Sequence, residues 1–594
     1  MTDIMASPLT LMDQYLAYME VDADAAAMSW VPERSQDLAE HLSRQELYAA
    51  SESIARGLLQ LSWPEDHPRM IILAFSPGLD FIQAFLACQL AGVIAIPIAM
   101  PRRGREAHIL EAIVSNCGAT MTLTSEPEVL RLQDVFASSP VLESMHILST
   151  IQLKILGEGR DMTGRKAQDY AFIQYTSGSS SLPKGVLVSH SNLAANLALI
   201  QNDFKVDPEF IMVNWLPHYH DMGLIGGLLT PIYGGIPCVS MAPSAFIKRP
   251  VRWLQLVSAQ DADRKVMSGG PNFAYQLCAD RVADVDIAGL RLQAWKTAYN
   301  GAEPIRAITL QKFEQRFAPA GYSNKNMLTC YGLAETTLFA TGNHDPVIRT
   351  VSILGLEQGN IGAALSEEDS RQLIASGHAD PERIVIADPV SKLRLADGKI
   401  GEIWITGPSV PETYFNNPEP SQLTFHAQFA DQPLARYLVT GDIGAIVEGQ
   451  LYVTGRSKEL MILNGRNIYP HDVEALIQNA VIGIEDVAVF SYDDASAKNE
   501  SIIVICELAR AARSWFADMP EQTLGTELEK LANQIRLAVA PAEIAITHLR
   551  FVGPMGISKT TSGKTSYGQN RKIFAELPES IRSRTASAEF RNKD

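Results

Sequence analysis

The stretch Tyr175–Gly185, YTSGSSSLPKG, is small, polar and glycine-bearing, and it stands between two apolar runs, Tyr170–Ile173 and Val186–Val188. The pattern predicts strand, tight loop, strand. Consecutive backbone N–H groups in such a loop, with Thr and Ser hydroxyls beside them, make a nest for an anion, and Lys184 adds a mobile positive charge suited to phosphate. It is not a Walker A loop, because G-x-x-x-x-G-K-S/T does not occur here. A serine-rich hairpin without a ligand accounts for the same residues, so the loop alone leaves both readings open.

Before the loop, strands and helices alternate. Ser43 with Glu46 reads as a capping box, and Leu47, Ala50, Ile54 and Leu58 keep helical spacing behind it. Met70–Phe75 is a short buried strand. A helix from Phe81 to about Leu90 and a strand Val93–Ile98 complete a βαβ unit, followed by a helix at Ala112–Cys117 and a strand at Met121–Thr124. Such alternation predicts an α/β fold, with parallel-type sheets flanked by helices. Gln83, Gln89, Gly92 and Pro97 break the apolar run Phe81–Met100, which therefore reads as helix plus strand and not as a membrane span.

After the loop, small residues recur at the ends of apolar runs. WLPHYHDMGLIGG (Trp215–Gly227) reads as a polar turn feeding a glycine-rich helix start, where a histidine beside a helix N-terminus favours an anion such as a carboxylate; a core histidine is the competing reading. H-x-H-x-D metal spacing fails at Met222. SGGPNFAY (Ser268–Tyr275), YNGAEP (Tyr299–Pro304) and CYGLAETTLF (Cys330–Phe339) follow. In an open α/β sheet ligands bind where strand ends meet such loops. Glu335 suits Mg²⁺, which prefers oxygen ligands, and equally suits a helix N-terminus.

From about Ile384 short strands and turns predict a β-rich subdomain. From Gly455 the chain passes through a polar turn into a small α+β unit with strands IEDVAVFSY and SIIVICEL and a helix at Thr523–Ala538. The tail, ISKTTSGKTSYGQNRK, reads as a loop presenting Lys564 or as a solvated basic segment.

Bulk properties limit the function classes. The 594 residues suffice for several domain-sized units. A net charge of −17 argues against non-specific nucleic-acid binding. The six cysteines form no CxxC pair and sit in apolar settings, which fits neither a disulfide framework nor a zinc site and suits a reducing cytoplasm. MTDIMASPLT has an early Asp3 and no basic n-region, so no signal peptide is expected.

Taken in order, YTSGS…PKG, LPHYHDMGL, NGAEP, YGLAETT, TGD, GRSKELMILNG and TTSGK resemble the adenylate-forming superfamily over about residues 10–572. Within it the chain looks most like the fatty acyl-AMP ligases. LPHYHDMGLIGG, AFIKRPVRWLQ (Ala245–Gln255), PNFAYQLC, NGRNIYPHDVE and an insertion-like segment Val351–Gly377 carry that likeness. Two positions depart from the superfamily pattern: Ser180-Ser181-Leu182 stand where a glycine is common, and Lys458 stands where the hinge is usually Asp.

The resemblance implies an N-terminal adenylation domain, 1–456, with a β-rich subdomain over about 380–456 and an insertion over about 351–377. A small mobile C-terminal domain, 457–594, would turn on Lys458. It further implies ATP-dependent activation of a medium- or long-chain fatty acid to acyl-adenylate and pyrophosphate. The acyl group would then pass to the phosphopantetheine of an acyl carrier protein or polyketide synthase carrier domain. By motif match, Thr176, Ser177, Gly178, Ser179 and Lys184 would cradle phosphates and Glu335 would hold Mg²⁺. Tyr331, Gly332, Thr336 and the backbone of Gly301, Ala302 and Glu303 would hold the nucleotide, and Asp442 and Arg456 its ribose. His220 and Lys564 would be catalytic, and Ser268, Asn272 and Phe273 would line the acyl pocket. A true acyl-CoA synthetase and a non-catalytic adenylate-binding protein are the competing readings.

Overall fold

The computed structural model describes residues 9–33, 39–165, 168–176, 183–261, 263–463, 466–492, 501–517, 519–560, 564–578 and 586–589. Ser177, Gly178 and Ser179 lie outside them.

Two large mixed sheets carry the first part of the chain. In the six-stranded one, Met70–Phe75, Ile94–Ala99, Met121–Thr124, His146–Ser149 and Tyr170–Thr176 run parallel, and Lys184–Ser189 returns antiparallel along Tyr170–Thr176. The eight-stranded sheet has a parallel centre, Phe210–Asn214, Lys265–Gly270, Trp295–Asn300 and Met327–Gly332, closed at one edge by antiparallel Phe339–His344. The central strands are buried on both faces, which explains their unbroken apolar character. The helix Arg44–Leu59 opens with both halves of the Ser43–Glu46 capping box. Helix Leu79–Ala91 is almost entirely buried and ends on left-handed Gly92, so the apolar run is core. Among the described residues no helix is long and apolar enough to cross a membrane.

A six-stranded sheet built on Gln432–Val447 and Gln450–Arg456 forms the β-rich part. Beyond Arg456 a separate apolar cluster gathers Val473, Ile477, Val487, Val504, Ile535 and Leu549 around a four-stranded sheet. Segment 348–374 is a hairpin, Ile348–Ser352 against Ser370–Ile374, with a short helix Ile353–Glu357. Val351, Leu356, Ile361 and Leu373 pack with Ile443, Tyr452 and Tyr469, so the hairpin joins the β-rich part to the start of the C-terminal part.

Two elements differ from expectation. The glycine-rich helix expected after the polar turn is present at Met222–Leu229, but it winds as a π-helix. The polar turn after Arg456 contains a further small hairpin, Met461–Leu463 with Arg466–Ile468.

Candidate active site

Strand ends bring the motifs together. Thr176 and Lys184 face each other across the hairpin, and the Thr176 hydroxyl donates to Lys184 O at 3.4 Å. Segment 413–415 adds to the hairpin edge, with Leu187 N donating to Thr413 O and Phe415 N to Gly185 O. This addition places Tyr414 under Lys184, whose Nζ lies 4.9 Å from the ring centroid. The Tyr414 hydroxyl donates to Glu335 Oε1 at 2.7 Å. Burial raises the Glu335 carboxyl above its usual value, against the Tyr414 hydrogen bond and the pull of Arg456. Sequence reasoning missed Tyr414, which stands beside Phe415 among turn residues without a motif around it.

Asp442 sits almost fully buried between two donors. The Tyr331 hydroxyl reaches Oδ2 at 2.6 Å and Arg456 Nε reaches Oδ1 at 3.0 Å. Arg456 is its cross-strand partner, so the pair is a product of sheet register. Gly301 directly follows strand Trp295–Asn300, and a Cβ there would meet Cys330 Sγ at 2.6 Å. Ala302 follows in a left-handed conformation, φ 69°, a strained choice for a residue with a Cβ. Gly332 is held so close to Leu338 that a Cβ would lie 1.8 Å from its carbonyl oxygen.

His220 and Asp221 form a close pair, Nδ1 to Oδ1 at 2.6 Å, at the mouth of the π-helix, and Asp221 also caps Met222 N at 2.7 Å. Burial alone would raise the Asp221 carboxyl, but His220 and Lys564 carry it below its usual value. Lys564 arrives here from the far end of the chain. It is partly buried, within electrostatic reach of Arg456, Asp221, Glu303 and Asp442. Burial and then Arg456 lower its pKa, with the three carboxylates opposing. Glu303 turns its side chain to Phe273 N, which donates to Oε1 at 2.5 Å.

Several expected contacts fall elsewhere. Ser268 is fully buried beneath Trp253, accepting from its indole at 2.7 Å and donating to Val213 O, so it supports the wall and does not line it. Asn272 is spent on Thr309 and Arg306 N. Of the three pocket residues only Phe273 is open, set edge-on to Trp215. Thr336 is fully buried, and its hydroxyl closes the turn onto Leu333 O at 2.9 Å instead of facing outward. Lys458 is exposed in the turn after Arg456.

Residues 18–415 match the model of the AMP-binding enzymes. A medium-chain-fatty-acid–[acyl-carrier-protein] ligase of Teredinibacter turnerae, TtuA, is 34% identical, with 96% of this chain and 94% of that protein covered. A ligase of the same description from Moorena producens, JamA, is 32% identical over 90% of each. The chain belongs to the fatty acyl-AMP ligases. The crystal structure of the Legionella pneumophila fatty acyl-adenylate ligase, in complex with acyl adenylate and pyrophosphate, matches this ligase with a TM-score of 0.71 at 31% identity over 96% of each chain. In the ligase described here, the residues that converge come from motifs nearly four hundred positions apart, from Thr176 to Lys564.

Proposed function

We propose that the protein activates a medium- or long-chain fatty acid with ATP to acyl-adenylate and pyrophosphate, then passes the acyl group to the phosphopantetheine thiol of an acyl carrier protein or polyketide synthase carrier domain. The observation that carries this reading is that Lys564, from the far end of the chain, lies within electrostatic reach of Asp221, Glu303, Asp442 and Arg456.

The acyl carboxylate attacks the α-phosphorus of ATP, the new C–O–P bond forms, and pyrophosphate leaves. Two anions meet in that step, so charge neutralisation and positioning supply most of the rate. Lys564 bridges the carboxylate and the α-phosphate. His220, oriented by Asp221, faces the acyl carboxylate. Thr176 and Lys184, with Ser177, Gly178 and Ser179, take the β- and γ-phosphates. Tyr331, Gly332 and the Gly301–Glu303 backbone hold the adenine, and Asp442 and Arg456 hold the ribose. Asp442 already accepts from Tyr331 and Arg456, and its remaining lone pairs serve the ribose hydroxyls.

Among the described residues no group of three or more His, Cys, Asp or Glu is placed to hold a metal. Glu335 alone fits Mg²⁺ of the kind that takes one carboxylate and completes its shell with substrate phosphates and water. Bound there, Mg²⁺ would neutralise phosphate charge. All six cysteines are free thiols, five of them buried, which suits the cytoplasm.

The competing acyl-CoA synthetase reading needs the part beyond Lys458 to turn freely. Against it stand the clasps from the inserted hairpin: Glu357 receives both Arg466 Nε and Nη2, at 2.8 and 2.7 Å, and Arg371 pairs with Asp472 while donating to His471 Nε2 at 3.0 Å. The test is pyrophosphate release and hydroxylamine trapping of the adenylate over fatty acids of graded length. Release with trapped acyl-hydroxamate supports the reading; bound nucleotide without release favours a non-catalytic binder.

A further inference from the structure

Lys564 is one flexible side chain on a tail segment, yet it reaches a site built by distant strands. The stem that presents it is pinned with unusual thoroughness. Thr560 N donates to Lys564 O at 2.8 Å, Lys564 N to Thr560 Oγ1 at 3.2 Å, and Lys559 bridges to Thr565. Asn570, 1% exposed, ties both sides of the stem: its Oδ1 accepts from Ser558 N at 2.8 Å, and its Nδ2 donates to Ser558 O at 3.0 Å and to Ser566 O at 2.9 Å. That uses most of what one carboxamide offers.

The second pin comes from another helix. Glu474, on helix Pro470–Ala480 and 6% exposed, accepts from Val489 N at 3.0 Å through Oε1 and from the Tyr567 hydroxyl at 3.1 Å through Oε2. Tyr567 opens the helix Tyr567–Ala575, three residues after Lys564. Glu474 therefore fastens the exit of the lysine-bearing segment to the sheet at Val489. Lys559, on the entry side, pairs with Asp486 at 2.7 Å. Burial pushes the Glu474 carboxyl up to about 8, with Val489 and Tyr567 opposing, Asp486 raising it and Arg306 lowering it. The group is thus largely neutral at pH 7, and a glutamine is its near-isostere.

We propose that Glu474 and Asn570 are positioning residues: they fix the two sides of the Lys564 stem to the body of the C-terminal part and so set where the ammonium enters the site. This rests on the adenylation reading above. A displacement of about 1 Å at a reacting charge costs on the order of 100-fold in rate.

The test is a set of double-mutant cycles on pyrophosphate release. Asn570→Ala and Glu474→Ala are expected to lower kcat about 10- to 100-fold with little change in KM for ATP, and Tyr567→Phe about threefold. Glu474→Gln stays near wild type. In a Lys564→Ala background none of these changes costs anything further, because the group they aim is gone. Equal losses in both backgrounds overturn the proposal. Acetic anhydride labelling of Lys564, read by peptide mass spectrometry, is independent of turnover. Labelling rises severalfold in Asn570→Ala and in Tyr567→Phe, the mildest of the variants expected to lose activity; unchanged labelling contradicts the proposal. If the wild-type chain releases no pyrophosphate while labelling still rises in the variants, the reaction assignment fails and the positioning role stands.

Discussion

In the proposed mechanism Lys564 concentrates the chemistry, as the cation that would meet the acyl carboxylate and the α-phosphate. Lys564→Ala is expected to slow acyl-adenylate formation by 100-fold or more with an unchanged melting temperature. Its lowered pKa fixes a sign: the working ammonium loses its proton below the ordinary lysine value of 10.5, so adenylation falls off on the alkaline side earlier than a free lysine would allow. Lys564→Arg should move that limb of the kcat/KM profile to higher pH. At the other charged pair, Asp442→Asn weakens the partner of Arg456 and Tyr331 and should raise KM for ATP roughly 10-fold or more, since hydrogen bonds to charged groups are worth about 1.5–3 kcal/mol. Tyr414 was illegible in the sequence because its importance comes from an edge contact with a hairpin more than two hundred residues away. Ser268 misled for the opposite reason: it stands in the motif, but strand alternation and Trp253 put its hydroxyl inside the wall.

Among the elements, the parallel strands were readable because burial on both faces leaves an unbroken apolar signature, as in Met70–Phe75 and Ile94–Ala99. The hairpin around Lys184 was readable from its polar turn between two apolar runs. The π-helix at Met222–Leu229 was not. Its sequence has no period of its own, and the winding is set by close packing: a Cβ on Gly223 would lie 2.0 Å from Pro217 O, and one on Gly227 would strike the Asn214 amide at 2.5 Å. Gly223→Ala must therefore shift backbone against backbone. It should cost about 1–3 kcal/mol of stability and displace the His220–Asp221 pair, read as a lower melting temperature together with reduced adenylation. A melting temperature and a rate both equal to wild type would contradict this packing argument.

At the scale of the whole molecule, the hairpin at 348–374 shares one apolar cluster with Ile443, Tyr452 and Tyr469, and the role proposed for it is that of a clamp. Removing 351–377 would expose Ile443 and Tyr452, so point changes test the clamp more cleanly than deletion. Glu357→Ala combined with Arg371→Ala is expected to raise the rate of acyl-CoA formation while leaving adenylation near wild type, because both ion pairs join the hairpin to the part proposed to turn. Acid should loosen the same joint. Burial holds His471 near pKa 4, against about 6.5 unfolded, so its stabilising contribution is complete above pH 6.5 and is lost as pH falls towards 4. The melting temperature should drop over that window, and less so in His471→Gln. The order of motifs along the chain made the two-part architecture legible, whereas the ion pairs that join the parts were not, because Glu357 and Arg371 are ordinary surface residues until the fold brings Arg466 and Asp472 to them.

The most direct test of the account is mass spectrometry of the products that the protein makes from ATP, Mg²⁺ and dodecanoate, with and without coenzyme A. The account predicts dodecanoyl-AMP that persists when coenzyme A is present and is consumed only by a phosphopantetheinylated carrier protein. Rapid, complete conversion to dodecanoyl-CoA would contradict it.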